Sequence, residues 1–178
     1  AYSEFIHFLF TSSYKLGKIT TGITAEKLEP YDVLVLGSPF ESYFTPHEIE
    51  IIVNFVKEGG GLWVLHDDGA DEANETNLNE LTSTFGFTFN SDTLNDSMNY
   101  VRQQNRPLIT CLESHYITRE LEEFVHASGC TINVEELLNA DENIEIHVLA
   151  RSGLNAFIRN QDGEELDRPN VPVLVAVN

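Results

Sequence analysis

Residues 45–71, TPHEIEIIVNFVKEGGGLWVLHDDGAD, carry the reading that decides the fold. Thr45 is placed to cap a helix, Pro46 suits its first position, and Glu48 completes a Thr-x-x-Glu capping box. Ile49, Ile52, Val53 and Val56 recur at helical spacing, and Ile51 and Phe55 widen the stripe. Gly59, Gly60 and Gly61 stop the helix, because glycine accepts the left-handed geometry that closes a C-terminus. Residues 62–65 then form a short, continuous apolar run of strand length. A similar run, residues 33–36, lies upstream within YDVLVLGSPF (31–40). Strand, capped helix, glycine turn and strand make a βαβ unit with a right-handed crossover. Runs without alternation suit strands buried on both faces, as in a parallel sheet. The expected fold class is therefore α/β: three layers around a mostly parallel, flavodoxin-like sheet, with a β-rich C-terminal portion.

Working outward, Tyr2, Phe5, Ile6, Leu9 and Phe10 share a helical face, and residues 14–20 read as a strand. Thr24 is placed to cap a short turn through Leu28. A helix is expected over 76–85, ended by Gly86, followed by a short strand at 87–89. Residues 90–107, rich in Asn, Asp, Ser and Gln, read as loop. A strand at 108–112 and a short helix at 118–126, capped by Thr118, come next. Strands at 130–134, 144–150, 156–159 and 171–177 supply the β-rich portion. Residues 1–178 are expected to form one domain. A doubly wound domain opens on a strand and this sequence opens on a helix, so a first strand is expected to be missing from it.

The charge balance narrows the partners. Ten basic against 29 acidic residues give a net charge of −19, and such a chain is repelled by nucleic acid and by anionic membranes. Cys111 and Cys130 are too few for a disulfide framework or a cysteine-based zinc site, and read as reduced core thiols. No run approaches the ~20 apolar residues of a membrane span. The opening AYSEF has no basic leader region. A cytoplasmic location is expected.

YDVLVLGSPF, FTPHEIEIIVNFVKEGGGLWVLHDD, NLNELTSTFGFTFN and SHYITREL together resemble the class I glutamine-amidotransferase-like superfamily over roughly residues 2–125. The similarity is to its non-catalytic branch. That branch includes domains of gliding-motility ABC-transporter auxiliaries, an intraflagellar-transport subunit and the trimerisation domain of some β-galactosidases. In SHYITREL, Tyr116 and Glu120 stand where those relatives have proline and glycine. Catalytic members of the superfamily carry a nucleophilic cysteine after the glycine-led strand, and here that position is His66. Neither cysteine has an elbow context, and no late His-x-Glu partner is present. Glutaminase chemistry is not expected.

The resemblance implies a non-catalytic module, associated with transport complexes, that binds a small ligand such as a sugar, a protein partner or a second copy of itself. In open α/β sheets such a site lies beyond the carboxyl ends of the strands. Ser38, Phe40, Glu41, His66, Asp67 and Asp68 are expected to line it, with His115 nearby. No cofactor, metal or catalytic residue is assigned. A competing enzyme reading makes His66 the base of a hydrolase with Asp67 or Asp68, metal-assisted if His115, Glu41 or Asp71 completed a ligand set. In a purely structural reading, His66 bonds neighbouring backbone and the aspartates cap turns. Ser38 lies in no Gly-x-Ser-x-Gly elbow. Gly59 to Gly61 precede a strand, so their amides are not aimed at a phosphate.

Overall fold

The structure is a computed structural model that describes residues 2–134 and 144–178. The chain divides into two compact units, residues 1–35 with 45–63, and residues 36–44 with 64–178.

The first unit is built on local signals. Helix α1 (Ser3–Thr11) buries none of its residues. Its Phe5 meets Trp63 edge-on, with ring centroids 5.4 Å apart. A four-residue helix α2 (Ala25–Leu28) buries Leu28. Helix α3 (Pro46–Lys57) has the expected box: the Glu48 N–H donates to Thr45 Oγ1 at 3.2 Å, and the Thr45 N–H to Glu48 Oε2 at 2.9 Å. The other Glu48 oxygen accepts the Ile23 N–H at 2.8 Å, so one carboxylate closes the helix and pins the segment before α2. These backbone donors, Thr45 first and then Ile23, hold the Glu48 carboxyl below its ordinary range. At the other end, Gly59 N–H donates to Val56 O and Gly60 N–H to Phe55 O, the paired bonds of a Schellman turn, with Gly59 at φ +100°. Thr45→Ala is expected to cost about 1 kcal/mol, read as a lower midpoint in urea at unchanged slope. No change in midpoint would mean that the box contributes nothing.

Strands β1 (Val33–Gly37) and β2 (Gly61–Leu65) pair with each other as a two-stranded sheet, and the boundary between the units falls within both. Gly61 N–H donates to Asp32 O and Ser38 N–H to Leu65 O, so the two strands run in the same direction.

The second unit is mostly strand. Short helices α4 (Ala70–Asn74) and α5 (Leu78–Thr82), then a 3-10 turn (Ser83–Phe85) ended by Gly86 at φ +87°, lead into ten strands among the described residues. These are β3 (Phe87–Phe89), β4 (Asp92–Asp96), β5 (Leu108–Ile109), β6 (Cys111–Leu112), β7 (Phe124–Val125), β8 (Ile132–Val134), β9 (Ile146–Arg151), β10 (Ala156–Asn160), β11 (Glu165–Asp167) and β12 (Pro172–Val177). They form small sheets in the orders β11-β10-β4, β12-β9-β6, β3-β8 and β5-β7. Every one of these pairings is antiparallel. One core gathers Leu94, Ile109, Ala150, Ala156 and Val173, and another Ala70, Phe89, Cys130 and Ile132.

The expected three-layer, mostly parallel, flavodoxin-like α/β fold is therefore corrected to one of mainly short antiparallel sheets with few helices. The physical reason lies in the apolar runs. Val33, Val35 and Trp63 are 55%, 41% and 44% exposed, so β1 and β2 are not sandwiched on both faces as continuous runs suggest. Smaller corrections follow. Residues 14–20 form no strand. Residues 92–96, read as loop, are a buried strand. Residues 118–126 form no helix, because the Thr118 hydroxyl donates backwards to Glu113 O at 2.6 Å and Phe124 and Val125 pair with β5.

Candidate functional site

Two loops of the second unit follow the ends of β1 and β2, and the backbone there is bent hard. Ser38, Glu41, Ala70 and Glu75 all have positive φ, at +44°, +47°, +46° and +51°. Such conformations cost non-glycine residues energy and persist only where surrounding bonds over-determine them.

Asp71 anchors the segment that follows these bends. Its Oδ1 accepts the Thr76 hydroxyl at 2.6 Å and the Leu78 N–H at 2.8 Å, and its Oδ2 accepts the Asn79 N–H at 2.8 Å. Leu78 and Asn79 are the first residues of α5, whose own N-cap, Asn77, gives no side-chain cap bond. Asp71 therefore satisfies helix donors from outside the helix. Burial alone would raise its carboxyl, but the bonds from Thr76, Asn79, His66 and Leu78 prevail and hold it below its ordinary value.

His66 belongs to the same network. Its side chain is fully buried, and its ring meets Phe89 edge-on at 5.3 Å. Nδ1 accepts the Asp67 N–H at 3.1 Å, which assigns the proton to Nε2, and Nε2 donates to Asp71 Oδ1 at 3.2 Å. Both ring nitrogens are thus engaged inside the fold. A general base needs a nitrogen within reach of its substrate, so the hydrolase expectation for His66 with Asp67 or Asp68 is corrected.

The remaining sequence-predicted residues fall in two places. Ser38 donates to Asp67 Oδ1 at 3.3 Å, and Asp68 Oδ2 accepts the Thr93 hydroxyl at 3.4 Å. Phe40 and Tyr43 are 63% and 64% exposed. Their loop is pinned by Glu41 N–H to Asn74 O at 2.8 Å, Ser42 N–H to Glu75 O at 3.1 Å, and Phe44 N–H to Asn77 Oδ1 at 2.8 Å. Glu41, Asp67, Asp68, Glu72 and Glu75 are exposed on these segments, which gives the aromatic pair an acidic surround. His115 lies elsewhere. It faces His147 at 5.7 Å in a separate cleft with Glu113 and Arg151, and its Nδ1 accepts the Ile117 N–H at 3.2 Å. No group of three or more His, Cys, Asp or Glu side chains among the described residues is arranged to hold a metal ion.

Sequence reasoning missed Asp71 as the organising residue and Tyr43 as the second displayed aromatic. It also missed Asp92, a buried carboxylate that accepts the Thr131 N–H at 2.8 Å and the Thr131 hydroxyl at 2.6 Å. Burial leaves the Asp92 carboxyl above its ordinary value despite those bonds. The spacing Asp71-x4-Thr76-Asn-Leu, an acidic residue shortly before a helix start, was the available signal for Asp71. No local signal marks Asp92, because its partner is 39 residues away.

Comparison with known proteins adds the family. The profile described as "IFT52 GIFT domain" matches residues 5–104, more than half of the chain. Intraflagellar transport protein 52 homolog of Homo sapiens is 27% identical over 110 residues, covering 62% of this chain and 24% of that protein. The Mus musculus homolog is 30% identical over 81 residues, covering 46% of this chain and 19% of that protein. The chain thus spans about a quarter or less of the curated relatives it matches. A solved structure, "mmIFT52 N-terminal domain", superposes with a TM-score of 0.78 at 21% identity, over 97% of this chain and 75% of that one, and shares its fold. Of the expected resemblance, the intraflagellar-transport part is supported. The amidotransferase-like and ABC-transporter-associated parts are corrected, and so is the expected amidotransferase-like ligand binder.

Proposed function

We propose, from the premise that this chain belongs to the IFT52 GIFT domain family, that it is a protein-docking component of an intraflagellar transport assembly and does no chemistry of its own. The structural observation that carries the reading is the division of labour at the strand ends. His66 and Asp71 are spent inward on holding the loops, while Phe40 and Tyr43 are displayed outward on a loop fixed by backbone bonds. Rigid, exposed aromatics are the side chains that dominate protein interfaces, because they bury much area and lose little rotamer freedom. In this reading Ser38, Phe40, Glu41, Asp67 and Asp68 form part of a contact face, and His66 is a positioning residue behind it. No helix among the described residues is long and apolar enough to cross a membrane. The relatives' name supports a setting in intraflagellar transport, in place of the cytoplasm expected from the sequence.

The test uses the full-length protein. Phe40→Ser with Tyr43→Ser is expected to reduce recovery in the purified transport assembly about tenfold, as the loss of two interface aromatics would. Circular dichroism and the thermal midpoint should stay unchanged, since both side chains face outward. Recovery equal to the parent protein would overturn the assignment of this face.

A further inference from the structure

The first unit contains a groove between α2 and α3 that the strand-end face does not involve. Its volume is about 600 Å³. Local geometry creates it: α2 is only four residues long, and the Schellman turn after α3 folds Phe55 back over Gly60. A Cβ at Gly60 would lie 2.4 Å from the Phe55 ring, so only glycine leaves that ring its place. Leu28, Ile51 and Phe55 form an apolar floor. Glu26, Glu29, Asp32 and Glu58 stand around it as exposed residues, and among the described residues no basic side chain lines the groove. Of the two lysines that adjoin these carboxylates in sequence, Lys57 does not line the groove and the Lys27 ammonium is bound to the Thr21 and Gly22 carbonyls. A groove residue already draws a cation, as the Lys15 ammonium lies 5.2 Å from the centroid of the Tyr31 ring.

We propose that this groove docks a basic amphipathic segment of a partner protein, its apolar side chains on Leu28, Ile51 and Phe55 and its lysines or arginines against Glu26, Glu29, Asp32 and Glu58. Charge selects this occupant. A second copy of the chain brings another net charge of −19 and is repelled, as is an anionic lipid surface or nucleic acid. The apolar floor separates the groove from a merely solvated acidic surface, since a segment with charge alone gains nothing from it. Helix-in-groove recognition has this form, with apolar anchors on one face and charges on the rim. The proposal concerns a different unit and different residues from the Phe40–Tyr43 face, so it stands or falls separately from that assignment.

The probe is the labelled peptide KLAKLAKKLAKLAK, with KSAKSAKKSAKSAK as its equally charged, less apolar counterpart. Binding is followed by fluorescence anisotropy at physiological ionic strength, where long-range attraction is screened. Two variants each remove three carboxylates: Glu26→Gln/Glu29→Gln/Glu58→Gln at the groove, and Glu120→Gln/Glu122→Gln/Glu123→Gln away from it. The groove variant should weaken the leucine peptide about tenfold, as three partly screened ion pairs would. The distal variant should weaken it by less than about twofold, and the serine peptide should bind far more weakly than the leucine peptide. Amide shifts on binding should concentrate in α2 and α3. Equal weakening by the two variants, equal binding of the two peptides, shifts centred elsewhere, or no binding of the leucine peptide would each overturn the proposal.

Discussion

Asp71→Ala is expected to destabilise the chain by about 3 kcal/mol, and to lower its thermal midpoint by roughly 6–12 °C for a protein of this size. The substitution removes the acceptor of the Thr76 hydroxyl, of the first two N–H groups of α5, and of the His66 Nε2–H. Each is a part-buried donor left without its partner, and abandoned donors cost more than the bonds were worth in isolation. Asp71→Asn should fall between the two, because its amide oxygen can still accept one helix N–H while its NH₂ faces the other donor. The pH dependence gives an independent check. The folded carboxyl lies below its ordinary value near 3.8, so its contribution is fully present above that value and is lost as pH falls through the folded one. Stability of the parent chain should therefore drop in the acid range below about pH 4, and the Asp71→Asn variant should show a shallower drop there. Parallel acid curves for the two proteins would mean that Asp71 is not the hub of the strand-end loops.

The second large effect is expected from Leu94→Ala, about 3 kcal/mol within the usual range of 2–5 for such a deletion. Leu94 is fully buried at the centre of the core formed with Ile109, Ala150, Ala156 and Val173, and Leu112, Phe124 and Ile158 pack against that cluster. It sits on β4, paired to Ile158 of β10, and its N–H donates to Gly129 O at 3.0 Å. Pairing with β10 on one side and the bond to Gly129 on the other hold the backbone, so the walls cannot collapse far into the space and most of the cavity term remains. Leu94→Met, which nearly conserves volume, should cost less than about 1.5 kcal/mol. Urea midpoints at constant slope measure both, and a loss below about 1 kcal/mol for the alanine variant would show that this core is loosely packed.

These two residues mark the limits of what the sequence displays. The α3 capping box and its glycine stop were legible because each bond in them joins residues within five positions. So was Gly86, which ends the turn after α5. The strand carrying Leu94 was not legible. Asp92, Asn95 and Asp96 give it the composition of a loop, yet they are 4%, 2% and 2% exposed. Their polar groups are satisfied by Thr131, by the Thr93 carbonyl and by the Met98 and Asn99 N–H groups, in bonds that composition does not reveal. At the candidate site, the sequence left His66 open between a ligand contact, an acid/base pair and a structural role. A histidine and two aspartates after a buried run suit a reaction centre and a structural lock equally well, until the side-chain directions are known.

By itself, then, the sequence determined the helices that close on their own neighbours, the turn at each end of them, and the repulsion of other anions by a chain of net charge −19. Only the tertiary structure decided that, among the described residues, β1 and β2 pair as a parallel ribbon of two strands, that the other strands pair antiparallel in small sheets, and that His66 faces inward. The physical reason is range. Helix caps and net charge follow from adjacent residues and from composition, whereas strand pairing and the burial of a polar side chain depend on partners tens of residues away.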